Sequence, residues 1–138
     1  MSNLFNTARS TLCAGAIALL PIAAMAQDAP ESLKVYFATG SSRIASDQQA
    51  TLDQAARLFR DGNPIVMIVA GGADTVGEPK KNLNLSIYRA TSVATALSDR
   101  GIPIDRLQIL GRGNSELAVD TEAGVAEPEN RVVEITWR

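Results

Sequence analysis

Residues 65–101, IVMIVAGGADTVGEPKKNLNLSIYRATSVATALSDRG, decide the fold. Ile65-Val66-Met67-Ile68-Val69 is a continuous apolar run of strand length, suited to the middle of a sheet. A polar loop without periodicity follows from Gly71 to Lys81. From Asn84 to Arg100 the pattern is helical, with Leu85, Ala90, Val93, Ala94 and Leu97 on one inner face. Gly101 stands where a helix C-cap glycine belongs, and Pro103 prevents continuation. A buried strand, a loop and an amphipathic helix in this order form one α/β unit.

Upstream, Leu33-Lys34-Val35-Tyr36-Phe37 alternates as a strand with Leu33, Val35 and Phe37 on one side. A turn runs through Thr39-Gly40-Ser41-Ser42. Ser46 and Gln49 fit a capping box opening a helix whose Leu52, Ala55, Ala56 and Phe59 recur at i, i+3, i+4 and i+7. Asp61-Gly62-Asn63-Pro64 stops it. Downstream, Leu107 to Leu110 reads as a third strand, Gly111-Arg112-Gly113-Asn114 begins a long loop, and Val132 to Trp137 is a fourth strand. The order β-α-β-α-β-β predicts a two-layer α/β (α+β) sandwich, two helices on one face of a four-stranded sheet. The first helical crossover permits parallel pairing of the first two strands.

Residues 1–26 read as a cleavable export signal rather than as part of the fold. Arg9 supplies the n-region charge, Leu12 to Ala24 is an apolar h-region too short for a permanent membrane anchor, and Ala24-Met25-Ala26 predicts cleavage before Gln27. Cys13 sits inside the apolar run after Leu12, the wrong place for a lipidated cysteine. Gln27 to Ser32 is a short polar tether, and residues 33–138 form one domain.

The 112 residues after the signal suffice for a single core. They contain no cysteine, so no disulfide or thiol chemistry is expected. Nor do they contain an apolar stretch of membrane-spanning length. Loss of Arg9 leaves 12 basic against 15 acidic residues, net −3, without a basic block, which disfavours nucleic acid and anionic lipid. The sequence has no histidine, which removes Ser-His-Asp hydrolysis, His-based general bases and most zinc sites. A non-catalytic binding module, with no cofactor and no metal, is the reading that remains.

Asp74 follows the central strand, and Arg89 lies fifteen positions later on the next helix. A strand end, a loop and a helix start make a natural crevice. Presented together, the pair suits a zwitterion, the carboxylate taking an ammonium and the guanidinium taking a carboxylate in a fork. Without further evidence, a direct pair between Asp74 and Arg89 is the favoured reading over a ligand clamp. Other signals are weaker. Gly111-Arg112-Gly113 lacks the rest of a phosphate loop, and Lys80-Lys81 reads as a solvated pair. Glu116, Asp120, Glu122, Glu127 and Glu129 do not have calcium-loop spacing. Tyr88 and Trp137 read as packing residues rather than sugar platforms.

Gly71-Gly72-Ala73-Asp74-Thr75-Val76-Gly77 followed by Asn82-Leu83-Asn84-Leu85-Ser86-Ile87-Tyr88-Arg89-Ala90 resembles the signature of OmpA-like domains, G-H-T-D-x-x-G then N-x-x-L-S-x-x-R-A. Val35-Tyr36-Phe37 with Gly40-Ser41, Gly101-Ile102 before Asp105-Arg106-Leu107, Gly111-Arg112-Gly113, and Asn130-Arg131-Val132-Val133-Glu134-Ile135 resemble further marks of the family in the same order. The resemblance covers Leu33 to Thr136. It implies non-covalent binding of peptidoglycan through the diaminopimelate of the stem peptide, in the periplasm, with outer-membrane association supplied by a partner.

By the same resemblance, Asp74 receives the ammonium and Arg89 the adjacent carboxylate. Asn82 and Thr75 belong to the pocket, and Arg131 matches the first Arg of the terminal motif. The chain departs from the pattern at Gly72 (family His), Ala73 (family Thr), Ala38 (family Asp) and Val132 (family Arg). Those departures keep an alternative open: an envelope adaptor that binds another protein and has weakened or lost wall binding. A wall hydrolase using paired carboxylates is disfavoured, because only Asp61 and Asp74 lie near the crevice and no general acid accompanies them.

Overall fold

Alternation at the start of the domain yields β1, Leu33–Tyr36, with Leu33 and Val35 buried and Lys34 and Tyr36 exposed. The structure, a computed structural model, describes residues 31–138. The export signal, its cleavage before Gln27, Cys13 and the tether through Pro30 lie outside the described residues.

Helix α1 spans Gln49–Gly62 and turns Leu52, Ala55 and Ala56 inward. The expected capping box does not form. Ser46 instead opens a short 3-10 turn, Ser46–Gln48, without a side-chain cap. Gln48, the residue before α1, sends its amide oxygen to the Tyr36 N–H at 2.9 Å, so its side chain serves the edge of β1 rather than the helix. Asn63 ends α1 in the left-handed conformation, φ 42°, with its N–H on Phe59 O at 2.8 Å. Asn tolerates this region better than most residues.

The central strand β2 is Met67–Gly71, two residues later than the apolar run suggests. Ile65 projects into solvent, while its N–H and that of Val66 meet Arg138 O at 2.7 and 3.3 Å. Hydrophobicity therefore begins before the regular ladder does. Helix α2 is Pro79–Asp99, five residues longer at its start than the apolar periodicity indicates. Pro79 occupies the first turn, where its missing N–H costs nothing and its φ is already helical. The added turn brings in Asn82, which begins a buried polar stripe continued by Ser86 and Arg89 and invisible to a hydrophobic pattern. Leu85, expected inside, is only partly buried because this polar stripe takes the inner face.

Strands β3, Leu107–Gly111, and β4, Val132–Trp137, complete the sheet. The sheet order is β1-β4-β2-β3. β4 enters between β1 and β2 and runs antiparallel to both, with Val35 opposite Val133, and Val69 opposite Ile135. Parallel pairing of β1 with β2 is thereby excluded; the parallel pair is β2 with β3, joined by α2, with Val69 opposite Ile109. The architecture is the expected α/β arrangement of two helices and a four-stranded open mixed sheet.

One core joins the two layers. Val35, Leu52, Met67, Val69, Val93, Leu97, Val133 and Ile135 are fully buried, each contributing ~1.5–3 kcal/mol by leaving water. Trp137 packs against the edge of this core, whereas Tyr88 projects into solvent. Two glycines allow α2 to sit close on the sheet. A Cβ on Gly71 would collide with the Ser86 backbone carbonyl, and one on Gly111 with the Ile87 side chain. This close approach sets the depth at which Arg89 enters.

Candidate ligand site at Asp74 and Arg89

The site lies where β2 gives way to its loop. Gly72 N–H donates to Val132 O at 2.7 Å and Ala73 N–H to Gly113 O at 2.8 Å, so the loop leaves the sheet held from both sides. Asp74 and Thr75 follow, both buried. The Asn82 side-chain amide donates to Asp74 O at 3.2 Å and Val76 O at 3.0 Å, clamping the next turn to α2.

Arg89 is 1 % exposed, the largest fully buried side chain of the domain. Its Nε donates to Ser41 O at 2.8 Å, Nη1 to Gly72 O at 3.0 Å and Nη2 to Ala38 O at 3.1 Å. All three acceptors are neutral carbonyls. Its guanidinium carbon lies 5.5 Å from the centroid of the Phe37 ring, a cation–π contact. Burial pulls the Arg89 pKa down to about 10, the Asp74 charge opposes that shift, and the Arg131 charge adds to it. Arg89 stays protonated at neutral pH.

Asp74 does not pair directly with Arg89. Its Oδ2 lies 3.3 Å from Nη1 of Arg131, and its Oδ1 accepts from Val76 N at 3.2 Å. Arg131 is anchored in turn by Nε on Phe37 O at 3.0 Å. The structure thus brings Asp74, Arg89 and Arg131 together: two guanidinium groups and one carboxylate, an excess of one positive charge away from bulk water.

Thr75 faces another way. Its hydroxyl lies 2.6 Å from Glu122 O and 3.1 Å from Thr121 Oγ1, and it accepts from Val125 N at 3.1 Å. These bonds tie the long loop between β3 and β4 to the site loop. Two residues that the sequence did not single out complete this scaffold. Ser86 Oγ accepts from Gly113 N at 2.8 Å and donates to Leu83 O at 2.7 Å. The Asn130 amide exchanges two 2.8 Å bonds with the backbone of Val119. The signal for Ser86 was available: Asn82, Ser86 and Arg89 follow i, i+4, i+7 spacing in phase with the apolar stripe of the same helix.

The acidic residues of the long loop do not converge; among the described residues no group of three potential metal ligands occurs. Arg112 draws Glu116 and Glu134 to 3.3 and 3.5 Å. Together with Lys34, Gly72 and Asn130 they line a groove of about 260 Å³ on the sheet face away from the helices. Asp74 and Arg89 do not line it.

A sequence profile of the OmpA family matches residues 36–131, from the edge of β1 to the arginine that holds Asp74. The chain belongs to the OmpA family. Among OmpA-family relatives, the outer-membrane lipoprotein YfiB of Pseudomonas aeruginosa is 31% identical over 104 residues, covering 75% of this chain and 62% of that protein. The peptidoglycan-associated lipoprotein of Brucella melitensis is 29% identical over 98 residues, covering 71% and 58%. The chain therefore spans about three-fifths of the length of these relatives.

Solved OmpA-like structures share the fold. The peptidoglycan-associated lipoprotein of Burkholderia pseudomallei superposes with a TM-score of 0.71 at 24% identity, covering 77% of this chain and 90% of that one. The C-terminal domain of Helicobacter pylori MotB gives 0.66 at 19% identity, covering 76% and 83%. The named relatives are envelope proteins, and none of these names denotes an enzyme. Among the described residues no helix is long and apolar enough to cross a membrane.

Proposed function

We propose that this chain is a non-catalytic peptidoglycan-binding module of the periplasm, exported through residues 1–26, which recognises diaminopimelate through Asp74 and Arg89. The observation that carries the reading is the charge excess of the buried cluster: Arg89 is bonded only to neutral carbonyls, and the one nearby carboxylate is taken by Arg131. A buried cation without a direct counter-ion is costly, and an incoming carboxylate offsets that cost. Diaminopimelate presents a carboxylate beside an ammonium. Arg89 receives the first, and the remaining lone pairs of Asp74 receive the second. Asn82, Thr75 and Arg131 hold the loop in register for both. The membership of a family that includes peptidoglycan-associated lipoproteins supports the same substrate.

Gly72 and Ala73 add no polar side chain, and one charge-assisted bond lost is ~1.5–3 kcal/mol. Monovalent binding is accordingly weak, and a repeating wall compensates only through avidity. The test is retention on diaminopimelate-type peptidoglycan, with Arg89→Lys and Asp74→Asn as variants.

One observation favours the adaptor reading. The loop carbonyls and the Asp74 carboxylate already have partners within the chain, and a Cβ on Gly72 would lie only 3.2 Å from Asn130 O. An adaptor retains a protein partner after muramidase digestion of the wall, whereas a wall binder is released by it.

A further inference from the structure

A buried cation takes a ligand only after something uncovers it. Arg89 is 1 % exposed, and its guanidinium is closed in by the carbonyls of Gly72, Ala38 and Ser41. The Gly72 side is fixed. Gly72 N–H is bonded to Val132 O, Ala73 N–H to Gly113 O, and the Asp74 carboxylate to Arg131. Each residue of that loop is thus tied to the segment between β3 and β4, and moving it breaks several bonds at once.

The other side is a short turn at residues 38–41, closed by Ser41 N–H on Ala38 O at 3.1 Å with Gly40 at φ 65°. No side chain from position 38 to position 43 is buried. Arg43 N–H bonds to Ser41 Oγ at 3.1 Å, within the same segment. Among the described residues, the only hydrogen bonds joining residues 38–43 to the rest of the chain come from Arg89. They run from Nε to Ser41 O at 2.8 Å and from Nη2 to Ala38 O at 3.1 Å. Nε and Nη2 form one edge of the guanidinium, an edge that a carboxylate engages with both oxygens. The turn places two neutral oxygens on that edge.

We propose that the turn at residues 38–41 is an internal occupant of the Arg89 fork, displaced when an external carboxylate binds. This displacement rests on the reading of Arg89 as a ligand anchor and adds how the site opens. The exchange replaces two neutral acceptors by an anion beside a buried cation, and charge-assisted bonds are the stronger ones. Its cost is release of a turn that only Arg89 holds to the domain. Apparent affinity then depends on how often the turn stands open. Gly40 controls this: at φ 65° an L side chain is strained, although nothing lies within 4 Å of its added Cβ.

Titration of the purified protein with free diaminopimelate, followed by NMR relaxation of the backbone amides, tests this. In the parent, residues 38–43 should gain mobility on saturation while Gly72 and Ala73 stay ordered. Gly40→Ala, which loosens the turn and leaves Asp74 and Arg89 intact, should bind several-fold more tightly. Thr39→Pro, which stiffens a turn with glycine at its third position, should bind several-fold more weakly. Both variants should keep the parent's circular dichroism. A saturated parent whose turn stays ordered, or folded variants that bind as the parent does, would overturn the displacement and leave wall binding standing. Failure of both the parent and Gly40→Ala to bind would overturn the anchor reading and the displacement together.

Discussion

Arg131 holds the carboxylate of Asp74 at 3.3 Å across a sequence separation of 57, and Arg89, fully buried beside them, makes no direct bond to it. The residue just before the last strand thus supplies the partner of a residue on the central strand's loop. Asp74 is bound to Arg131, and at Arg89 its charge opposes the repulsion from Arg131.

Removing Asp74 should therefore hurt more than removing its partner. Asp74→Asn leaves two buried cations without a counter-charge and should cost about 3 kcal/mol in urea unfolding. Arg131→Gln removes a cation that repels Arg89, and should cost only about 1–2 kcal/mol. The reverse order would mean that the repulsion between Arg89 and Arg131 is negligible.

Arg89 carries a fixed charge across the physiological range. Its folded pKa of about 10 lies below the ordinary arginine value, so the folded chain holds this proton less tightly than the unfolded chain. The resulting penalty is present at every pH below about 10 and is relieved only as pH rises from there toward the ordinary arginine value. With no histidine in the chain, stability should be flat between about pH 6 and 8. Arg89→Lys keeps a cation but cannot reach the carbonyls of Ala38, Ser41 and Gly72 together, and should cost about 2 kcal/mol. A denaturation midpoint that drifts across neutral pH would point to a titrating group other than Arg89.

The α2–sheet spacing rests on Gly71. Gly71→Ala drives a Cβ into the Ser86 carbonyl and should destabilise by about 3 kcal/mol, since backbone cannot step aside as a side chain can. Gly62→Ala is the control: nothing lies within 4 Å of its added Cβ, and the last residue of α1 gains helix propensity. It should stabilise by about 0.5 kcal/mol. Equal effects at the two positions would contradict the close packing of α2.

Much of this arrangement was legible in the sequence. Alternation placed β1, and apolar runs located β2, β3 and β4 within two residues, because burial on a sheet leaves a period that hydrophobicity records. The early start of α2 was not legible, because its first inward residues are Asn82, Ser86 and Arg89 and their burial is satisfied by hydrogen bonds. The choice of Arg131 over Arg89 as the partner of Asp74 was also hidden. It depends on β4 inserting between β1 and β2, a long-range pairing that no local spacing encodes.

Thr75 separates scaffold from ligand contact. Thr75→Val removes the hydroxyl that binds Glu122 O and Val125 N, and should cost about 1–2 kcal/mol and raise amide exchange in residues 121–125. Unchanged exchange there would place the anchoring of the long loop elsewhere, with Asn130 as the remaining clamp.

The central claim is recognition of diaminopimelate by Asp74 and Arg89, and co-sedimentation of the purified protein with diaminopimelate-type peptidoglycan tests it most directly. The account predicts that the parent is retained and is displaced by free diaminopimelate. Asp74→Asn and Arg89→Lys, each still folded by circular dichroism, should stay in the supernatant. Retention of both folded variants to the parent's level would contradict the site, and a folded parent that fails to sediment would contradict wall binding itself.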